Sequence, residues 1–225
     1  MNKYVSIVFI LLFGALQAQT ITKNPGNFTS VKVFDRISVQ LIPGSEPKVE
    51  IKGDRAGEVQ LVNNNGELKI RMPLKKLLKG ETIEATIYYQ KLEGVDASEG
   101  SYVIGETAIK GTQFSVGAKE GSEVRLTLEV KKTKIRATSG GVIHLKGKSD
   151  NADVVMSTGA ELKAKSFETQ QTTITMNAGG DAEIYATVFV DAKVRAGGDI
   201  HIYGYPKEVN QKTVVGGTIT IVKPE

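Results

Sequence analysis

The chain has 225 residues, with 24 glycines, no tryptophan and no cysteine. Its 29 basic and 25 acidic residues leave a formal net charge of +4, without the strongly basic character of proteins that bind nucleic acid. Because cysteine is absent, there is no disulfide framework, and we expect a protein that is not a lipoprotein. Abundant valine, isoleucine and threonine with frequent glycine favour short strands joined by turns.

The first eighteen residues have the composition of a secretory signal peptide. Lys3 supplies the positive start, residues 5–13 form an almost unbroken apolar run, and Leu16-Gln17-Ala18 offers a cleavage site. The apolar run is shorter than the roughly 20 residues that a membrane span requires. We therefore expect a signal peptide over residues 1–18 and a single mature domain over residues 19–225, with no membrane span. The mature protein would be periplasmic, at the cell surface or extracellular.

The N-terminal third alternates apolar and polar residues in short segments separated by turn signals. The alternation predicts strands over residues 29–34, 36–42, 48–52, 58–62 and 67–72. Residues 42–45 (IPGS) and 63–66 (NNNG) are the strongest turns between them. Such a β-rich region suits the cap that a repeating fold needs over its first apolar layer.

One short segment, residues 74–79, has a helical pattern framed by Pro73 and Gly80. Leu74, Leu77 and Leu78 would share one face of a helix, with the lysines pointing elsewhere. One interpretation is a small basic contact with a membrane or a partner. The other is a connector whose three leucines dock on the sheet, which we expect because two helical turns are too few for a stable interfacial helix.

Glycine recurs at a regular spacing through the second half of the chain. The repeats end at Gly100, Gly121, Gly141, Gly159, Gly180, Gly198 and Gly217, with 18 to 21 residues between successive copies. Self-similarity at this period is typical of a solenoid, and the period-two alternation inside each repeat indicates strands. We therefore predict an all-β, parallel β-helix-like solenoid with coils of about 18–21 residues from about residue 95 onward. We expect Ile184, Ile202 and Ile219 to stack in its interior.

Counting from the repeat glycines brings three candidate surface residues together. His144 and His201 each follow their glycine by three residues, and Glu183 has the same place in its own repeat. We predict one outward column with Glu183 next to His201. Histidine and carboxylate can ligate zinc, but Glu161 or Lys163 would separate His144 from Glu183. We therefore expect a solvated ladder with one weak ion pair, and no metal or cofactor.

Acidic residues raise the alternative of a polysaccharide lyase or hydrolase of the β-helix type. Asp181, Glu183 and Asp199 are the acids that would have to carry such a reaction. The repeats have tight corners, no long loop that could build a cleft, and lysines interspersed among the acids. No nucleophile with a general base and an orienting third group is evident, so we expect no catalytic site.

Several segments together resemble a known family of secreted bacterial proteins. They are Phe28–Val33, residues 37–44 (ISVQLIPG), 48–51 (KVEI), 66–70 (GELKI) and 92–100 (LEGVDASEG), followed by the glycine corners. From Gly26 onward the chain is similar to the family named Putative auto-transporter adhesin, head GIN domain. The resemblance implies a right-handed β-helix-like fold and export, and it brings no catalytic residues.

These features together predict a non-enzymatic exported module for adhesion or envelope interaction. Its expected partner is a polysaccharide or an envelope protein, because a repetitive face can hold an extended partner through many weak contacts. Exposed terminal strands are also able to pair between copies, which would give a homo-oligomer. The alternatives are the polysaccharide-cleaving enzyme and a purely structural or regulatory envelope domain.

Overall fold

Strands dominate the computed structural model, which describes residues 20–223. Over these residues strands account for 68% and helices for 3%. The predicted signal peptide, residues 1–18, lies outside the described residues. Within the described part of the chain, no helix is long and apolar enough to cross a bilayer.

Sixteen strands form one sheet system. The N-terminal strands are β1 (Ile21–Lys23), β2 (Ser30–Val33), β3 (Ser38–Pro43), β4 (Lys48–Lys52), β5 (Gln60–Asn64), β6 (Glu67–Arg71), β7 (Glu84–Tyr89) and β8 (Gly94–Ala97). Five long bent strands follow: β9 (Tyr102–Lys119), β10 (Glu123–Thr138), β11 (Val142–Ser157), β12 (Ala160–Met176) and β13 (Gly180–Ala196). The last full coil comprises β14 (Asp199–Tyr203) and β15 (Glu208–Val215), and β16 (Thr218–Ile221) begins the coil after it. Two single-turn 3-10 helices span Ala56–Glu58 and Leu74–Lys76.

The long strands stack in parallel, one coil upon the next. Glu123 lies opposite Val142 and Thr138 lies opposite Ser157, so both ends of β10 pair with residues 19 positions further along. The first half of β13 continues to β14 and β16, whereas its second half continues to β15. This arrangement confirms the predicted solenoid of stacked parallel coils.

The N-terminal region caps the solenoid with antiparallel strands. On one face β1 pairs with β4 and β4 with β7, and on the other face β5 and β6 form a hairpin. The five strands predicted in this region are present within two residues of their expected ends. Two of them already belong to a coil, because β2 lies parallel to β8 and β3 lies parallel to β9. The coils therefore begin at Ser30 rather than near residue 95.

A row of backbone hydrogen bonds runs through the corners of the coils. At each corner a glycine N–H donates to a carbonyl oxygen of the next corner, with N···O distances of 2.9–3.3 Å. The donors are Gly100, Gly121, Gly140, Gly159, Gly179 and Gly197. The anchors predicted from spacing all lie at these corners. Three of them directly follow a donor glycine, namely Gly141, Gly180 and Gly198, and Gly217 follows Gly216 in the same way at the last corner.

The two glycines of one corner meet different requirements. Gly179 has a φ of +63°, and a Cβ placed there would meet no atom within 4 Å, so only its left-handed backbone favours glycine. Gly180 has a φ of +127°, and its Cβ would lie 2.5 Å from the carbonyl oxygen of Ala160. The second glycine therefore lets the backbones of two neighbouring coils approach each other.

The interior is built from columns of small and medium apolar side chains. One column comprises Val103, Val124, Ile143, Leu162, Ala182, Ile200 and Ile219. The predicted stacking of Ile184 on Ile202 is confirmed. The placement of Ile219 in that column was wrong, because Ile219 pairs with Ile200 and Ile202 pairs with Ile221. The distance from the corner glycine sets this register. Ile202 follows Gly198 by four residues, whereas Ile219 follows Gly217 by only two.

The segment at residues 73–80, between β6 and β7, contradicts our expectation of docked leucines. Only Leu74–Lys76 is helical, as a single 3-10 turn. Leu74, Leu77 and Leu78 are 77%, 49% and 40% exposed, so none is buried against the sheet. The reason lies in Asp35, whose carboxylate accepts the N–H groups of Met72 and Leu78 and holds this backbone in a bulge.

Candidate functional site

An outward polar column crosses the coils, as the repeat spacing predicts. From β10 to β14 it comprises Arg125, His144, Lys163, Glu183 and His201, one residue from each coil. Glu183 lies directly between Lys163 and His201, and Lys163 separates it from His144. The predicted neighbours are therefore confirmed, and the two histidines are three coils apart.

The histidines pair with acids of the adjoining column rather than with Glu183. His144 Nε2 lies 3.2 Å from Glu123 Oε1, and His201 Nε2 lies 3.7 Å from Asp181 Oδ2. Lys163 Nζ makes the corresponding contact with Glu161 at 2.9 Å. Each basic side chain thus has a carboxylate on its own strand or on the preceding one.

Burial and neighbouring charge set the protonation of this face. Partial burial, followed by the positive charge of Arg125, lowers the pKa of His144 below its ordinary value of 6.5, while Glu123 opposes the shift. Burial raises the pKa of the Asp181 carboxyl, and His201 opposes that rise. His144 is therefore neutral at pH 7. Among residues 20–223, no three His, Cys, Asp or Glu side chains are grouped so that they could hold a metal ion.

The three acids considered for catalysis are each engaged in a local contact. Asp181 faces His201, and Glu183 accepts a hydrogen bond from the Tyr203 hydroxyl at 3.3 Å. Asp199 lies opposite Asp181 on the next coil and accepts a hydrogen bond from Thr218. These contacts pair each of the three acids with a surface side chain.

A cleft of about 360 Å³ adjoins this column on the C-terminal coils. Its lining consists of Lys165, Tyr185, Tyr203, Gly204, Tyr205, Val222 and Lys223, which we call the tyrosine cleft. Tyr185 and Tyr203 are in register on neighbouring strands, about 4.8 Å apart by strand spacing. Two lysines and three aromatic rings therefore share one shallow site.

Specific contacts hold the tyrosine cleft open. Lys165 Nζ lies 4.6 Å from the centroid of the Tyr203 ring, and the Tyr203 hydroxyl is fixed by Glu183. A Cβ at Gly204 would lie 2.5 Å from the Ala186 carbonyl oxygen and 2.7 Å from the Tyr185 ring, so glycine leaves that ring uncovered. Tyr205 has a φ of +55° and is 49% exposed at the rim.

The tyrosine cleft was not predicted, although the repeat contains its signal. Tyr185 and Tyr203 each follow the second glycine of their corner, Gly180 and Gly198, by five residues. The same count that brought Glu183 and His201 together would have paired the two tyrosines.

Comparison with known proteins agrees with this architecture. Residues 27–206 match the family described as Putative auto-transporter adhesin, head GIN domain. The chain belongs to this family. The match covers most of the region in which the resemblance was predicted and includes the polar column from Arg125 to His201. No curated protein matches the chain in sequence.

Solved structures of low sequence identity share the fold. A putative adhesin from Bacteroides fragilis superposes with a TM-score of 0.84 at 17% identity, covering 91% of this chain and 97% of its own. A putative lipid binding protein from Parabacteroides distasonis gives a TM-score of 0.69 at 17% identity, with coverages of 93% and 98%. A putative adhesin from Parabacteroides merdae gives 0.63 at 19% identity, again with coverages of 93% and 98%.

Proposed function

We propose that this chain is an exported, non-enzymatic β-solenoid that binds a polysaccharide through the tyrosine cleft. The observation that carries the proposal is the pair of in-register rings, Tyr185 and Tyr203, with Tyr205 at the rim. Aromatic rings offer rigid apolar area with a polar tip, which suits the apolar C–H face and polar edges of a sugar ring. Lys165 and Lys223 add hydrogen-bond donors at the edge of the cleft.

The geometry favours an extended ligand held by modest contacts. The cleft is shallow and lies beside a polar column that continues over several coils, so a chain of sugars could follow the surface beyond one ring. Single contacts of this kind are weak, and repeated engagement along a polymer would supply the strength that adhesion requires. Membership of the head GIN domain family and the adhesin-like neighbours support the same role and export to the envelope.

The decisive experiment is a glycan array run beside reducing-sugar and lyase assays on the same polysaccharides. Tyr185→Ala and Tyr203→Ala should each weaken binding about tenfold by removing one stacking surface. Tyr102→Ala is the matched control, because Tyr102 occupies an outward position on the same sheet face far from the cleft. If all three variants lose glycan binding equally, or if none of them loses it, the tyrosine cleft is not the binding site.

The same experiment separates adhesion from the two alternatives. Binding without turnover supports the proposed role. Turnover that disappears in Glu183→Gln would instead identify a polysaccharide-cleaving enzyme, with Asp181, Glu183 and Asp199 as its catalytic acids. A protein silent in every assay would favour the structural or regulatory envelope domain.

A further inference from the structure

The bulge at residues 73–80 presents an apolar surface that the fold does not use. Its three leucines, Leu74, Leu77 and Leu78, stand within five positions of one another and are each at least 40% exposed. Clusters of exposed apolar side chains mark interaction sites in soluble proteins. We call residues 73–80 the leucine loop.

Buried contacts fix the leucine loop in this exposed form. The Asp35 carboxylate, whose residue is 1% exposed, accepts the N–H of Met72 at 2.9 Å and that of Leu78 at 2.8 Å. The Asp35 carbonyl oxygen accepts the N–H of Gly80 at 3.0 Å. A Cβ at Gly80 would lie 2.4 Å from that same oxygen, so the loop is closely seated on Asp35. The leucines therefore cannot turn inward without breaking buried hydrogen bonds.

The backbone of Leu78 carries local strain. Its φ is +59°, in the left-handed region that a leucine rarely adopts. Strained residues persist where the surrounding structure determines them, and they cluster at functional sites. Here the strain holds a leucine outward, which is the opposite of what burial of apolar surface alone would produce.

The charges around the leucines indicate which surface they contact. Between Pro73 and Gly80 there are three lysines and no acidic residue. Lys76 is paired with Glu58 at 2.6 Å, which leaves Lys75 and Lys79 beside the exposed leucines. Leucines with flanking lysines match the interface of an anionic bilayer, where apolar side chains enter the acyl boundary and lysines reach the headgroups.

We infer that the leucine loop is a docking site for a membrane surface rich in anionic lipid. It lies next to β7 in the cap, whereas the tyrosine cleft lies on β13 and β14. Seven strand-to-strand steps separate β7 from β14 in the sheet order, a span of about 34 Å. Docking through the cap would thus leave the tyrosine cleft well separated from the membrane surface.

Cosedimentation with vesicles tests this inference. Mass spectrometry first establishes that the protein used begins near Gln19. The apolar run at residues 5–13 is then absent and does not contribute to binding. We expect binding to vesicles of phosphatidylglycerol and phosphatidylcholine that weakens with salt, and much weaker binding to phosphatidylcholine alone. Lys75→Gln with Lys79→Gln should lower binding to the anionic vesicles about 30-fold. Leu74→Ser, Leu77→Ser and Leu78→Asn combined should lower it at least as much.

A matched control keeps the test specific. Val214 and Val215 in β15 are 57% and 67% exposed, so V214S with V215S removes exposed apolar surface at the C-terminal end of the solenoid, away from the cap. That variant should bind vesicles like the unmodified protein, and circular dichroism should show all variants folded. Absence of binding to anionic vesicles, or equal loss in the control, overturns the inference. If the protein forms dimers that dissociate when the leucines are replaced, the leucine loop is instead an interface between two copies of the chain.

Discussion

Adding the same methyl group at two adjacent glycines should have very different effects on stability. Gly179→Ala introduces a side chain into open space at a φ of +63°, so it carries only the left-handed penalty of about 1 kcal/mol. Glu99 and Ser139, each one position before the glycine that corresponds to Gly179, already adopt positive φ without being glycine. Gly180→Ala combines a φ of +127° with a Cβ 2.5 Å from the Ala160 carbonyl oxygen. Backbone strain and overpacking together should then cost about 4 kcal/mol.

The comparison isolates the contact between coils. Both variants change the unfolded chain in the same way, so the difference of about 3 kcal/mol belongs to the folded state. For a chain of this size, melting temperature should fall by about 3 °C for Gly179→Ala and about 12 °C for Gly180→Ala. Because the chain has no tryptophan, unfolding is best followed by far-ultraviolet circular dichroism. Equal losses, or a larger loss for Gly179→Ala, would refute the assignment of the second glycine to close approach of the coils.

Three further outcomes follow. Ile202→Asp should unfold the C-terminal coils because it buries an unpaired charge, whereas His201→Ala should change the free energy of unfolding by less than about 0.5 kcal/mol. Equal melting temperatures for the two variants would contradict the assignment of Ile202 to the interior and His201 to the surface. The pKa of His144 is lower in the native state than in the unfolded state, so the unfolded state takes up a proton first as pH falls below 6.5. The free energy of unfolding therefore decreases with falling pH until His144 is protonated in the native state as well. Denaturant titrations across this pH range should show a smaller decrease for His144→Gln. Mass spectrometry of protein from the native cells should find an N-terminus near Gln19, and intact Met1 would contradict export by cleavage.

The repeat period predicted the architecture because corners and faces follow from counting. A glycine every 18 to 21 residues placed the corners, and alternation placed the inward and outward side chains. The same counting set His144, Glu183 and His201 in one column. The error at Ile219 came from comparing residues at unequal distances from their corners, not from a departure of the fold from its period.

Features that depend on distant contacts were beyond this kind of prediction. The leucine loop is shaped by Asp35, about 40 positions earlier in the sequence, and no local pattern reveals that carboxylate as its support. Likewise, the partners of His144 and His201 are acids of the adjoining column, which only side-chain geometry could select from several nearby carboxylates. The tyrosine cleft also needs the returning segment at Val222 and Lys223, which closes one side of it.

The corner hydrogen bonds, with the strand pairing beside them, also determine how the molecule would yield to force. Each bond joins one coil to the next, so tension applied at the C-terminus loads one interface at a time rather than many in parallel. The last coil would detach first and each further rupture would release about one repeat. With repeats such as the one from Glu123 to Val142, every step would lengthen the chain by roughly 65 Å. Stretched in this way, the molecule would extend in regular increments, dissipating work at each coil before the next one gives way.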